Sequence, residues 1–177
     1  ERHEWLAHAP HVLAALETRR ATLAREHNRT AKPTRQQTAV LVLIRHERDG
    51  DVCYLHQFDR RANQFQLIGG RMEPGETPEQ TAIREVLEEV GEHQPSALTP
   101  SEHFTLNQLF DGNPALETDE LSATYGALTR YTFYAFRAAF AAPPQLGPHD
   151  RWVTRAEMLD GRTHDGHKLG TPRLATI

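Results

Sequence analysis

The chain has 177 residues, 38% of them hydrophobic and 25% charged, which is typical of one globular domain with a short appendage. No apolar run is long enough to cross a bilayer, so we expect no membrane partner. The net charge is −4, although residues 1–36 carry seven basic against four acidic residues. The acidic remainder excludes broad electrostatic capture of nucleic acid, and we expect no stable nucleic-acid partner.

The N-terminal part of the chain predicts a helix over residues 5–27, because leucine and valine recur there at helical spacing. A polar segment with Pro33 follows and ends it. We therefore divide the chain into a helix and linker over 1–35 and a main domain over 36–177. Since the chain begins with Glu1 and not with Met, we expect the natural N-terminus to lie further upstream.

Three strands are predicted next. Residues 38–46 form a continuous apolar run, residues 51–58 alternate, and residues 64–68 are short and strand-like. The sequence ERDGD between the first two predicts a tight turn. Cys53 lies in the second strand as a core residue, and one cysteine allows no intrachain disulfide. A reducing, cytoplasmic location fits this composition.

Residues 77–90 give the clearest helix prediction. Thr77 is an N-cap with Pro78 after it and Gln80 at the capping-box position, and Gly91 stands where a C-terminal glycine cap belongs. Further on, residues 103–110 and 130–140 predict strands, with a long acidic loop over 111–129 between them. Residues 151–159 predict a strand that runs into a helix, and the tail from Asp160 is weakly specified.

The 77–90 helix gathers like charges. Glu85, Glu88 and Glu89 are spaced i, i+3 and i+4, so their carboxylates share one face. A solvated acidic face is the ordinary explanation. The alternative is a hard divalent cation such as Mg²⁺, which prefers oxygen ligands and keeps positions open for substrate phosphates. The preceding Gly69 and Gly70 would let a backbone carbonyl approach that cation.

The pattern G-x₅-E-x₇-R-E-V-x-E-E-x-G decides between these explanations. It begins at Gly70 and resembles the Nudix box of hydrolases that act on nucleoside diphosphates linked to another moiety; its last position departs, with Glu92 where the family has an aliphatic residue. The resemblance implies an α/β fold: a Nudix-like α/β/α sandwich with a mixed sheet, here with an added N-terminal helix. The pattern is carried by Gly70, Glu76, Arg84, Glu85, Val86, Glu88, Glu89 and Gly91.

The resemblance also implies roles. Glu85, Glu89 and Glu88, with the Gly70 carbonyl, would bind Mg²⁺ or Mn²⁺. Glu88 would alternatively help to deprotonate the attacking water, Arg84 would orient its neighbouring carboxylates, and Glu76 would brace the loop–helix junction. Candidates outside the box are Glu120 or Glu117 as the general base, and Arg60 and Arg61 as phosphate-binding residues.

We thus expect a pyrophosphohydrolase with a small-molecule nucleotide substrate: a nucleotide sugar, an ADP-ribose-like compound or a nucleoside triphosphate. A regulatory module that binds nucleotide without turnover is the alternative. An isoprenoid diphosphate isomerase of the same fold would need a catalytic cysteine, for which Cys53 in a strand is a weak candidate. The N-terminal helix could mediate a homodimer or join a fused partner domain.

Overall fold

The computed structural model describes residues 2–26, 34–90, 104–112, 114–117, 125–138, 140 and 143–170. By its contacts the chain divides into two units, Glu1–Thr38 with Phe110–Phe133, and Ala39–Leu109 with Tyr134–Ile177. The helices are α1 (Arg2–Glu26), α2 (Pro78–Glu89) and α3 (Arg155–Asp160). The strands are β1 (Arg35–Arg48), β2 (Asp51–Asp59), β3 (Gln64–Leu67), β4 (Phe104–Asp111), β5 (Ala115–Leu116), β6 (Leu128–Ala138) and β7 (Asp150–Thr154).

The first unit contains α1, which confirms the predicted N-terminal helix, and the short strand β5. Leu23 of α1 is buried, and α1 contacts β5. None of the described helices has the length and apolar character that a membrane span requires.

The interpretation of residues 111–129 as one loop was wrong in part. Ala115 and Leu116 pair antiparallel with Thr129 and Leu128, so this stretch holds a strand and the start of β6. A two-residue strand leaves too short an alternation to be visible in the sequence.

The strands of the sheet follow the order β3-β2-β1-β6-β4, and β7 pairs with Cys53–Gln57 of β2. The β1–β2, β2–β3 and β2–β7 pairs are antiparallel, whereas the isolated bridge between Phe65 and Leu169 is parallel. The predicted turn between β1 and β2 is present: Asp49 and Gly50 both have positive φ, at 55° and 88°, as a two-residue hairpin of type I′ requires.

Helix α2 begins as its sequence predicts. The Gln80 N–H donates to Thr77 Oγ1 at 3.2 Å, and the Thr77 N–H donates to Gln80 Oε1 at 2.8 Å. This reciprocal capping box fixes the angle at which the chain enters the helix. Helix α2 ends at Glu89 with Val90 as a right-handed cap. The predicted glycine cap at Gly91 lies outside the described residues.

The core of the second unit lies between α2 and one face of the sheet. Alternate residues of three strands point towards the apolar face of α2, so the helix is held by burial along its length. The acidic face of α2 begins at the edge of this packing, where Glu85 is buried, whereas Glu88 is exposed. The cluster comprises Val40, Val42, Ile44, Leu55, Ile68, Ala82, Val86, Val90, Phe136 and Ala138.

Strand β7 runs directly into α3, as predicted for residues 151–159, and Thr154 and Glu157 form a second capping box. Helix α3 contacts β2 and β7. Residues 161–170 make defined contacts that their sequence does not indicate. Gly161 caps α3 in the left-handed region with φ 73°, and Leu169 is buried where it bridges Phe65. This burial is a tertiary contact, which a local sequence pattern cannot reveal.

Candidate active site

Two glycines connect β3 to the loop before α2, and a Cβ at either position would overlap a neighbouring group. Gly69 has φ +154°, and a Cβ at that position would overlap the carbonyl oxygen of Val40. A Cβ on Gly70 would overlap the carboxylate of Glu85. The Gly70 carbonyl accepts a hydrogen bond from the Val40 N–H at 2.9 Å. Since a carbonyl oxygen has two lone pairs, one remains for another partner.

Arg84 connects the acidic face of α2 to the loop before the helix through several hydrogen bonds. Its Nε and Nη2 donate to both oxygens of Glu76, at 2.8 and 3.1 Å. Its Nη1 donates to Glu85 Oε1 at 2.7 Å and to Glu88 Oε2 at 3.2 Å. Its Nη2 also donates to the Arg71 carbonyl at 3.0 Å. One planar guanidinium therefore fixes three carboxylates and the loop before the helix.

Glu76 is held in its ionised form. The hydrogen bonds from Arg84 lower the pKa of Glu76 to about 2, and the Glu73 N–H and the Thr81 hydroxyl add to this effect. The same interactions raise the pKa of Arg84 above its already high ordinary value. This pair ties the loop before α2 to the helix.

Glu85 is a nearly buried carboxylate, with 8% of the residue exposed. It lies directly against the backbone of Gly70, and its Oε1 accepts from Arg84. Its Oε2 has no hydrogen bond to another described residue. Among the described residues the only fully buried side-chain nitrogen or oxygen without a partner is Nε2 of His56, so Glu85 Oε2 can accept from a cation or a donor.

Glu89 lies beside these groups and resists ionisation. Burial raises its pKa to about 7, and the negative charges of Glu85, Asp150 and Glu88 add to the shift, while the Gly69 N–H donates to Glu89 and opposes it. The concentration of negative charge that raises this pKa also makes the site attractive to a divalent cation.

A cleft of about 320 Å³ opens along the acidic face of α2. Glu88 and Glu89 form one wall, and residues 147–150, which lead into β7, form the other. In that segment, Asp150 accepts hydrogen bonds from Gln57 Nε2 at 3.2 Å and from the Gly147 N–H at 2.8 Å. The cleft residues are Gln57, Glu88, Glu89, Gly147, Pro148, His149 and Asp150.

Oxygen donors dominate this face, and their chemistry fits a hard cation such as Mg²⁺. Within the described part of the chain, however, no three Asp, Glu, His or Cys side chains are grouped closely enough to hold a metal ion. Glu85 and Glu88 each turn one oxygen towards Arg84, whereas Glu89 accepts from the Gly69 backbone.

The NUDIX domain family model matches residues 35–174, which is most of the chain. The chain belongs to the Nudix family. This assignment confirms the family predicted from the Gly70–Glu92 pattern, and the architecture confirms the predicted mixed sheet with helices.

One named relative is similar to this Nudix chain over a short stretch of its sequence. The Escherichia coli (strain K12) protein named 8-oxo-dGTP diphosphatase is 49% identical over 45 residues, which is 25% of this chain and 30% of that protein. The chain thus matches less than a third of that relative's length.

Solved structures give a broader but weaker likeness. A Nudix hydrolase from M. smegmatis, RenU, is 23% identical with a TM-score of 0.46, covering 84% of this chain and 85% of that one. The dihydroneopterin triphosphate pyrophosphohydrolase of E. coli is 22% identical with a TM-score of 0.48, covering 71% and 85%. At these scores we take no argument from either protein.

The structure brings the Nudix-box residues together and places the other predicted residues in different settings. Arg60 Nη2 lies 2.7 Å from Nε2 of His149, which lines the cleft, so Arg60 is at the cleft rim. The Arg61 backbone N–H donates to Asp59 in the turn after β2. Glu117 bonds Ala127 and Gly126 through its backbone, in the first unit.

Two predicted features lie outside the described residues, the candidate base Glu120 and the atypical Glu92. Cys53 is buried in β2, and burial raises the pKa of its thiol, which makes it a poor nucleophile.

The sequence analysis missed Gln57, His149 and Asp150. Gln57 lies two residues after the buried Leu55 in β2, and residues two apart in a strand share a face. Its position on the α2 face could therefore have been predicted from the strand pattern. The other two lie in a segment with no periodicity, and only the tertiary structure brings them to α2.

Proposed function

We propose that the protein hydrolyses a diphosphate linkage in a nucleoside diphosphate derivative, using the acidic face of α2. The observation that carries this proposal is the Arg84 network, which fixes Glu85 against the Gly70 backbone beside the cleft. A helix face that needed only solvation would not require a largely buried carboxylate fixed against a glycine backbone. Membership of the Nudix family supports the same reaction class.

The proposed cofactor is Mg²⁺ or Mn²⁺, held by Glu85, Glu88 and Glu89 with the second lone pair of the Gly70 carbonyl. Each of the first two carboxylates has an oxygen that Arg84 does not use. When bound, the cation would neutralise diphosphate charge and favour an ionised water. Cation binding would draw these carboxylate oxygens together, and Glu89 would release its proton.

The protein groups would then orient the reactants. Arg84 would keep Glu85 and Glu88 in fixed rotamers, and Glu76 would keep Arg84 from turning into the cleft. Preorganised charges of this kind stabilise a transition state without rearrangement during the reaction. Arg60, held by His149 at the rim, is positioned to meet a substrate phosphate and remains our candidate for that role, with Arg61 beside it.

The general base is proposed and not assigned by the contacts. Glu120 remains our candidate, with Glu117 as its alternative, and Glu88 would assist in deprotonating water. Asp150 becomes a further candidate because it lines the cleft opposite Glu89. Separate Glu120→Gln and Asp150→Asn variants would distinguish them, since only loss of the base removes the acidic limb of the pH–rate profile.

The substrate test is a panel of nucleotide sugars, ADP-ribose and nucleoside triphosphates incubated with Mg²⁺. We expect release of a nucleoside monophosphate from at least one compound. Hydrolysis in ¹⁸O-labelled water would show which phosphorus is attacked. Glu89→Gln should abolish release, whereas Glu79→Gln, an exposed control on the same helix, should not. No release from any compound, together with tight metal-free nucleotide binding, would favour the regulatory module instead.

Assembly through α1 and a cytoplasmic location also remain proposals. Sizing the chain with and without residues 1–35 would test a role for the helix in a homodimer, and a shift from a dimeric to a monomeric mass on removal is the supporting result.

A further inference from the structure

A second concave surface lies on the face of the sheet that is turned away from α2. It has a volume of about 160 Å³ and is lined by Arg45, Val52, Tyr54, Arg137 and Arg155. We call it the arginine basin. It shares no residue with the cleft along α2.

The strand alternation fixes which face carries the basin. Ile44 of β1, Leu55 of β2 and Phe136 of β6 belong to the core beneath α2. Their sequence neighbours Arg45, Tyr54 and Arg137 therefore point to the opposite face, because successive side chains in a strand alternate.

The register confirms that two of these residues are neighbours. Arg45 is paired directly with Tyr54 across the β1–β2 ladder. Cross-strand partners on one face have their Cβ atoms about 5 Å apart. The floor of the basin is thus set by paired strands and does not depend on a loop.

Two of the basin arginines, Arg45 and Arg137, have little charge compensation. Arg45 pairs with Glu47 at 3.3 Å, but both side chains are more than half exposed, where such pairs contribute little. Arg137 is exposed and has no hydrogen bond or ion pair to another described residue. Among the described residues that line the basin, none is acidic. Three guanidinium groups in one concavity are unusual in a chain with net charge −4.

We propose that the arginine basin binds a phosphate or diphosphate group of a small molecule. Guanidinium groups match phosphate oxygens with two parallel hydrogen bonds. The volume equals about five water molecules at about 30 Å³ each, which suits the anionic group and not a whole nucleotide. Nucleic acid needs an extended basic surface, which this acidic chain does not supply.

The test measures binding of inorganic diphosphate by calorimetry, with the metal removed by EDTA so that the α2 face does not contribute. Arg137→Gln should raise Kd about tenfold or more, as expected for losing a charge-assisted hydrogen bond. Arg137→Lys keeps the charge but not the two-pronged geometry and should give an intermediate Kd. The matched control is Arg48→Gln, an exposed β1 arginine that pairs with Asp49 outside the basin.

Parallel titrations with orthophosphate and adenosine monophosphate distinguish the two sources of the phosphate group. Whichever of the two binds more tightly identifies the source of the phosphate group. The result supports the site provided that Arg137→Gln weakens the binding of that compound. The proposal is overturned if diphosphate does not bind, or if Arg137→Gln and Arg48→Gln weaken it equally. Tighter binding of a short single-stranded oligonucleotide than of diphosphate would also overturn it. Matched thermal melts of all variants exclude loss of folding as the cause.

Discussion

Glu89→Gln should stabilise the metal-free protein at alkaline pH while removing activity. Burial and the charges around Glu89 raise its pKa to about 7 from an ordinary value of 4.5. Above pH 7 the folded protein must therefore hold a charge that the site disfavours. Glutamine can still accept the hydrogen bond from the Gly69 N–H but never ionises.

The size and sign follow from proton linkage. A pKa difference of about 2.5 corresponds to about 3 kcal/mol of unfolding free energy, taken as an upper bound. Between pH 4.5 and 7 the unfolded chain has lost this proton and the folded chain keeps it, so the contribution of Glu89 to wild-type stability falls as pH rises. The advantage of Glu89→Gln should be absent below pH 4.5, grow up to pH 7 and stay constant above it.

The assay is urea unfolding in EDTA from pH 4 to 9, with Glu79→Gln as the matched control on the same helix. That control should change stability by less than about 1 kcal/mol, the usual limit for an exposed charge near a helix N-terminus. A Glu89→Gln gain that is equal at pH 5 and pH 8, or no gain at pH 8, would refute the reasoning.

Three further predictions concern the surroundings of α2 and the core. Arg84→Lys should raise the Mg²⁺ concentration needed for half-maximal activity by about 10–100-fold, as for lost partners of metal ligands. The reason is that an ammonium group cannot hold Glu76 and Glu85 together, and a titration of the rate with Mg²⁺ measures the change. Gly70→Ala should destabilise the protein by about 1–3 kcal/mol through overlap with Glu85, as measured by urea unfolding. Burial lowers the pKa of His56 from 6.5 to about 4, so the contribution of His56 to stability should fall as pH decreases from 6.5 to 4. The stability of the wild type relative to a His56→Gln variant should therefore fall over that range in the same assay.

The sequence predicted the elements whose signals are local. The capping box of Thr77 and the Asp49–Gly50 turn are written in adjacent residues, and α2 and the first hairpin follow from them. The buried run of β1 is similarly self-evident. By contrast, β5 pairs only two residues, and Leu169 is buried by a distant strand, so neither leaves a periodic pattern.

The same distinction applies to the site. The box residues lie on one loop and one helix, and their spacing alone places Arg84 within reach of Glu76 and Glu85. The opposite wall of the cleft is formed by Asp150, brought there by the pairing of β7 with β2. Such long-range pairing is set by the whole sheet and cannot be read from the residues around Asp150.

The most direct test of the central claim is the initial rate of hydrolysis against Mg²⁺ concentration, for the substrate that the panel identifies. The wild type and Glu79→Gln should show the same saturating dependence and no activity in EDTA. Glu89→Gln should lose at least about a hundredfold in rate at every Mg²⁺ concentration, as for loss of a metal-bound transition-state contact. An undiminished rate in EDTA, or a wild-type rate for Glu89→Gln, would contradict a metal-dependent site on the acidic face of α2.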